Sequence, residues 1–403
     1  MTPHTQHLTI SPNHLKLGHT SSIAQTPRCV TYYLARPKLV NNVLVSFASY
    51  GNGHRVAAEA IVAAWRKAQP LDKISVIDAL DVVYSPYAVF SRSLYRNATT
   101  YIPSVYDKYY RLGNVDRWVH LMRKVYSITS TRVHDLIELW KPTVVVCTHP
   151  LPLSIFAEFK NKYNKSFILS SVVTDYGINK SWAHSQVNYY FVPSLGVKKQ
   201  LECMGISEHN IFISGIPSHS TMTPPINCNN RTDVDDNYVG FSAYGLNAKY
   251  AATILRNICN CESKFTIVIC YGISQRIRDT FERIAQCSCR PYVIEPYGED
   301  YRKWMKKMVL LLSKPGGLSI TEALANNLPL ILLRGYLGQE RANAEYVVRN
   351  GAGLMPSNDD IGAVIDKLLG ANDVILEMKN NSRFIGVPAA SNNIVECINN
   401  ALS

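Results

Sequence analysis

Short apolar runs recur along the chain without the period-2 alternation of a half-exposed strand. In the first half they are Val43 to Ala48, Ile74 to Ile77, Thr143 to Thr148, Phe167 to Val173 and Tyr189 to Val192. In the second half they fall near 238–242, 265–270, 291–294, Val309 to Leu312 and Leu328 to Leu333. Continuous apolar runs of this length suit strands buried on both faces of a parallel sheet. Segments of helical period follow them, such as Ala57 to Ala68 with alanines, Ile61 and Trp65 on one stripe. Strand and helix in alternation predict an α/β protein with parallel sheets and right-handed crossovers. Around Pro217 to Asn237 the pattern gives way to Ser, Thr, Asn, Asp and Pro224-Pro225, which reads as a linker. The expected division is a leader over 1–40, a first domain over 41–217, a linker over 218–237 and a second domain over 238–390. A final helix over 391–403 is expected to cross back onto the first domain.

The breaks in this pattern carry the candidate chemistry. The run Val309 to Leu312 stops at Ser313-Lys314-Pro315-Gly316-Gly317, and a helix start follows, with Ser319 and Glu322 in capping-box spacing. A strand, a glycine turn and a helix N-terminus present N–H donors to an anion such as diphosphate. A tight turn with a self-capping Glu322 is the plainer alternative. The next strand leads through Arg334 to Gly338 into Gln339, Glu340 and Asn343, so two successive loops place polar groups at one sheet edge. After the first strand of the chain comes Tyr50-Gly51-Asn52-Gly53-His54. It puts an imidazole at the first turn of a helix, where the positive end of the dipole keeps the ring neutral and basic. Thr148-His149-Pro150 and Thr174-Asp175-Tyr176 end two further strands. Asp175 could orient an imidazole or bind an acceptor hydroxyl, whereas helix capping is the preferred reading for His149.

Composition narrows the classes. A chain of 403 residues exceeds what one core usually serves, so two domains are expected. No run approaches eighteen apolar residues, so no transmembrane helix is expected. A net charge of +12 is compatible with nucleic acid, anionic lipid surfaces or phosphorylated small molecules. The ten cysteines are scattered through strands and helices, as reduced thiols would be, and Cys259/Cys261 with Cys287/Cys289 lack the usual zinc spacing. Residues 1–40 hold no Asp or Glu and no apolar core of a secretory signal, while an organelle transit peptide fits their composition. Residues 84–126 interleave rings with cations, among them Tyr95, Arg96, Tyr109, Tyr110 and Arg111. That mixture suits a membrane headgroup layer, single-stranded nucleic acid, or a helical subdomain with a solvated basic face.

Taken together these motifs resemble the monogalactosyldiacylglycerol synthase and diacylglycerol glucosyltransferase family, related to the bacterial lipid-linked GlcNAc transferase, from about Asn41 onward. The likeness rests on Tyr50 to His54 with Ala57-Ala58 and on Val173-Thr174-Asp175, Trp182, His184, Val187, Tyr190 and Gly215-Ile216-Pro217. It rests equally on Ser313 to Gly317, Thr321-Glu322-Ala323 and Gly338-Gln339-Glu340 with Asn343-Ala344. The resemblance implies a GT-B architecture, two Rossmann-like domains facing a central cleft, and inverting transfer from a UDP-sugar to a lipid hydroxyl. It makes His54 the general base with Asp175 beside it, and puts Gly51, Asn52, Gly53 and His149 on the acceptor side. Ser313, Gly316, Gly317, Thr321, Glu322, Gln339, Glu340 and Asn343 would hold the nucleotide-sugar, with diphosphate on the glycines, ribose on Glu322 and sugar on Gln339 and Glu340. It also implies no metal or other cofactor, no nucleic acid, and a cytoplasmic enzyme peripheral on an anionic membrane, touching it through the 84–126 stretch. The sequence departs from the family pattern at Ser218-His219, at Phe241 to Gly245 and at Arg334 to Leu337, positions that bear on donor and acceptor identity. Two alternatives stand beside transfer: a non-catalytic nucleotide-sugar sensor and a UDP-sugar epimerase.

Overall fold

The structure is a computed structural model and describes residues 40–82, 112–115, 117, 130–219, 237–272, 274–288, 290–333 and 338–402. The leader, most of the linker, and Tyr95, Arg96, Tyr109, Tyr110 and Arg111 lie outside the described residues.

The first sheet contains β1 (Asn42–Phe47), β2 (Lys73–Asp78), β3 (Val144–Cys147), β4 (Ile168–Val172), β5 (Tyr189–Val192) and β6 (Ile211–Ile213), in the spatial order β2-β1-β3-β4-β5-β6. Every pairing is parallel. Its described helices are α1 (Gly53–Ala68), α2 (Ala79–Val82), α3 (Ser130–Trp140), α4 (Pro150–Tyr163) and α5 (Leu195–Cys203). The second sheet contains β7 (Tyr238–Ser242), β8 (Thr266–Cys270), β9 (Tyr292–Glu295), β10 (Met308–Ser313), β11 (Leu330–Leu332) and β12 (Gly353–Leu354), ordered β12-β11-β10-β7-β8-β9 and again all parallel. Around it lie α6 (Ala248–Cys259), α7 (Gln275–Cys287), α8 (Glu299–Met305), α9 (Gly317–Ala325), α10 (Gln339–Arg349), α11 (Ile361–Leu369) and α12 (Asn372–Ile385). The apolar runs are continuous because helices cover both faces: all four residues of β3 and all six of β10 are buried.

Two strands were not anticipated. β6 and β12 hold three and two residues, too few for any period to show. The run expected over Leu328 to Leu333 pairs only over Leu330–Leu332, although its flanks are equally buried. The capping box does not form either. α9 begins at Gly317 with Gly316 as its N-cap and no side-chain cap bond, which places Ser319 inside the first turn and turns Glu322 inward.

The last helix, α13 (Ala390–Leu402), returns to the first sheet. Ile394, Val395 and Ile398 share one buried cluster with Val43, Val45, Ile61 and Trp65. Burying each such side chain contributes about 1.5–3 kcal/mol. The crossing is tight at Gly215, whose φ of +80° and whose missing Cβ, which would lie 2.6 Å from Val387 Cβ, both call for glycine.

Strand order sets where ligands can go. In the first sheet the chain reverses its direction of growth between β1 and β3, and in the second between β7 and β10. Open α/β sheets bind ligands in the crevice outside the carboxyl ends of strands at such a reversal. Here those crevices hold the loops starting at Ala48, Thr148, Ala243 and Lys314.

Candidate active site

His54 occupies the first crevice. Gly51 at φ +109° makes the turn, Asn52 precedes α1, and the histidine is the helix's second residue. Its Nδ1 lies 2.9 Å from the Thr148 carbonyl oxygen and 2.8 Å from Thr174 Oγ1. Thr148 Oγ1 in turn donates to the His54 carbonyl at 2.9 Å, so the ends of β1 and β3 are tied in both directions. His149 crosses the His54 ring edge-on at 4.5 Å. Burial holds the His54 pKa down at about 4, partly offset by the Thr148 carbonyl. His149 is held well below its usual range by burial and then by His54. Both rings are therefore neutral at physiological pH, and a neutral imidazole can take a proton. His149 uses Nδ1 to accept from Leu151 N–H at 3.0 Å and so caps α4. Asp175 does not orient the imidazole, because Thr148 and Thr174 do that; its Oδ1 accepts from Asn343 Nδ2 at 2.9 Å. Burial raises the Asp175 carboxyl to about 7 against the Asn343 bond, with Glu340 raising it further and Lys314 lowering it.

The second crevice lies between β7 and β10. Ser313 is fully buried and donates to the Lys314 carbonyl at 3.0 Å, and Thr321 Oγ1 donates back to the Gly317 carbonyl at 2.8 Å. Lys314 Nζ reaches Glu340 Oε1 at 3.0 Å; burial opposes its charge most strongly, but Glu340, Tyr244 and Asp175 together outweigh it and the pKa rises. Glu322 is 1% exposed. Its Oε2 accepts from the Tyr297 hydroxyl at 3.0 Å, while Oε1 is 3.9 Å from Arg302 and has no hydrogen-bond partner among the described residues. Burial lifts this carboxyl to about 7 against Tyr297 and Arg302. A buried oxygen without a donor is costly, and a ligand hydroxyl would satisfy it. Gln339 opens α10 after Gly338, whose φ is +60°.

The two crevices meet. Gly53 comes up to Leu318, with 3.6 Å between a Cβ built on the glycine and Leu318 Cβ. A Cβ on Gly317 would fall 2.0 Å from the Thr174 carbonyl oxygen, so close approach of the other domain requires glycine there. Asn343 was expected to face the nucleotide-sugar, but it is fully buried and its amide clamps the domains together. It accepts from Tyr176 N–H at 2.7 Å and donates to Asp175 Oδ1 at 2.9 Å and to Pro315 O at 3.0 Å. Tyr176 stacks on Tyr346 at 4.1 Å between centroids. Sequence reasoning gave no site role to Thr148, Thr174, Lys314, Tyr297 or Arg302. The first two lay beside residues it did select, whereas Tyr297 lies before α8 and Arg302 within it, with no local mark.

Among the described residues no group of three or more His, Cys, Asp or Glu side chains is placed to hold a metal ion. Cys261 is buried against the carbonyls of Asn257 and Gly362, Cys287 is exposed, and Cys289 lies outside the described residues. A cavity of 490 Å³ lined by residues of α6 and α7, including Arg256, Cys259 and Arg283, lies away from the cleft. Among the described residues no helix is long and apolar enough to cross a membrane.

Comparison with known proteins fits this geometry. Residues 54–217 match the family described as monogalactosyldiacylglycerol (MGDG) synthase, and residues 248–393 match the glycosyltransferase family 28 C-terminal domain. The chain is also 25% identical over 348 residues to the processive diacylglycerol beta-glucosyltransferase of Staphylococcus aureus, covering 83% of this chain and 86% of that one. Over most of its length the chain is similar to monogalactosyldiacylglycerol synthases in its first half, to family 28 glycosyltransferases in its second, and to diacylglycerol glucosyltransferases overall. It is a glycosyltransferase of GT-B fold. Among solved structures, the S. aureus MnaA–UDP co-structure aligns with a TM-score of 0.60 at 15% identity, over 90% of this chain and 97% of that one. Acinetobacter baumannii MurG aligns with a TM-score of 0.58 at 12% identity, over 89% and 99%. At such identities these likenesses speak for the fold alone.

Proposed function

We propose that this glycosyltransferase moves a hexose from a UDP-sugar to a hydroxyl of a membrane lipid, diacylglycerol or another long-chain alcohol, with inversion at the anomeric carbon. The observation that carries the reading is the meeting of two ligand crevices: a neutral imidazole at one, and a glycine turn with a helix N-terminus at the other. His54 takes the acceptor's proton as its oxygen attacks, and the bond to UDP breaks with the electron pair leaving on the diphosphate. Gly316, Gly317 and the start of α9, with Lys314 nearby, neutralise that charge, so the reaction needs no metal. Glu322 Oε1 suits a ribose hydroxyl, and Gln339 and Glu340 suit the sugar. The acceptor approaches past Gly51, Asn52 and Gly53. The basic and aromatic stretch 84–126 and the net charge of +12 favour work at an anionic membrane surface.

The matched domain families and the curated relatives carry names of glycosyl transfer, which supports transfer over the sensor and epimerase readings. The test is incubation with a panel of UDP-sugars and total lipid extract, with mass spectrometry of the products. A glycolipid is expected with the wild type and none with His54→Ala, while UDP-sugar binding by calorimetry persists in the variant. Undiminished turnover in His54→Ala would remove the base from this scheme.

A further inference from the structure

The hydrogen bonds around His54 determine which of its nitrogens is free. Nδ1 lies 2.9 Å from the Thr148 carbonyl oxygen, and a carbonyl oxygen only accepts. A bare Nδ1 would set two lone pairs against each other at that distance, so Nδ1 carries the hydrogen and Nε2 is unprotonated. The Thr174 hydroxyl completes the arrangement. Its Oγ1 is 2.8 Å from the same Nδ1 and donates its own hydrogen to the Thr148 carbonyl at 3.5 Å, which leaves its lone pairs toward the ring N–H. Thr174 is 5% exposed, so water competes little for these bonds.

We infer that Thr174 is a positioning residue for the transfer reaction: its hydroxyl and the Thr148 carbonyl hold His54 as the Nδ1–H tautomer, leaving Nε2 to receive the acceptor's proton. The inference rests on the proposed role of His54 as base. When the acceptor O–H bond breaks, the proton passes to Nε2 and the positive charge spreads onto an Nδ1–H that already faces two oxygens. Those oxygens stabilise the imidazolium more than the neutral ring, and so act chiefly as the charge develops. Thr174 also ties the base to the donor domain. Its carbonyl rests on Gly317, and the two residues after it, Asp175 and Tyr176, are bonded to Asn343. The ring is thus held by a first-domain segment that also seats on the glycine turn of the second domain.

Thr174→Val keeps the shape and removes the hydroxyl, and Thr174→Ser keeps the hydroxyl. The valine variant is expected to lose about 10- to 100-fold in kcat, no more than the lower end of the roughly 100- to 10,000-fold that general-base catalysis supplies, with KM for the UDP-sugar little changed. Serine should restore most of the rate. A long-range 15N–1H spectrum of the histidine-labelled wild type, assigned with His54→Ala, should show Nδ1 as pyrrole-type and Nε2 as pyridine-type, and the valine variant should show a mixture. A pyridine-type Nδ1 in the wild type overturns the inference. So does a valine variant with wild-type kcat, or a serine variant as slow as the valine one. If His54→Ala is inactive while Thr174→Val is fully active, the inference about Thr174 alone fails; if His54→Ala turns over normally, the base reading fails first.

Discussion

The contact between Gly177 and Ala342 allows the domain interface to be tested without touching any ligand residue. A Cβ on Gly177 would sit 2.4 Å from Ala342 Cβ, and ordinary contact begins near 3.4 Å, so Gly177→Ala must push α10 away by 1.0 Å. The neighbouring bonds cannot follow. Tyr176 N–H to Asn343 at 2.7 Å and Asn343 to Asp175 at 2.9 Å would both stretch beyond about 3.5 Å, outside hydrogen-bond range. At pH 8, where Asp175 is ionised, losing one neutral and one charge-assisted bond weakens the closed arrangement by about 2–4 kcal/mol. At 1.36 kcal/mol per decade this is roughly a 30- to 1,000-fold rise in the open population. Amide hydrogen exchange at Tyr176 reads that population directly, and its protection should fall by this factor. Ala342→Gly removes the offending methyl and leaves Ala342 Cα, 3.9 Å away, as the nearest atom. Alone, it should cost about 1 kcal/mol of helix propensity in α10. The double variant should regain protection to within about tenfold of wild type, a coupling that only direct contact produces. A double variant as exposed as Gly177→Ala, or a single variant with native protection, would refute the reasoning.

Other consequences follow from the buried carboxyls. Asp175 titrates near 7 when folded against 3.8 ordinarily, so the folded protein holds a proton that the unfolded chain releases between those values. Stability from this group is present at low pH and is lost as pH rises through about 7. Melting temperatures of wild type and Asp175→Asn should therefore diverge over pH 4–7, the wild type losing ground, and curves that stay parallel would contradict this. Tyr297→Phe removes the hydrogen on Glu322 Oε2 and leaves neither oxygen of a buried carboxyl with a donor. A loss of about 1–3 kcal/mol is expected by urea unfolding at pH 8, where Glu322 is ionised, and a smaller loss at pH 5, where it is protonated.

The sequence alone determined the two parallel sheets, because strands covered on both faces need continuous apolar runs and each run is a local pattern. It also determined the turns at Gly51–Gly53 and Gly316–Gly317, since backbone that must bend sharply or be approached closely selects glycine locally. It singled out His54 and Glu322, although the local reason it offered for Glu322 is not what the structure shows. Ser319 and Glu322 have the spacing of a capping box, yet the carboxyl turns inward because α9 starts at Gly317 and Tyr297 offers it a hydrogen bond. Only the tertiary structure decided who meets whom. Thr174 reaches His54 across 120 residues, and Asn343 reaches Tyr176 across 167. Strand order brings them together, and that order depends on which sheet edges and helix faces pack best over the whole chain. No window of a few turns contains that information, so the imidazole's partners and the Asn343 clamp are visible only in three dimensions.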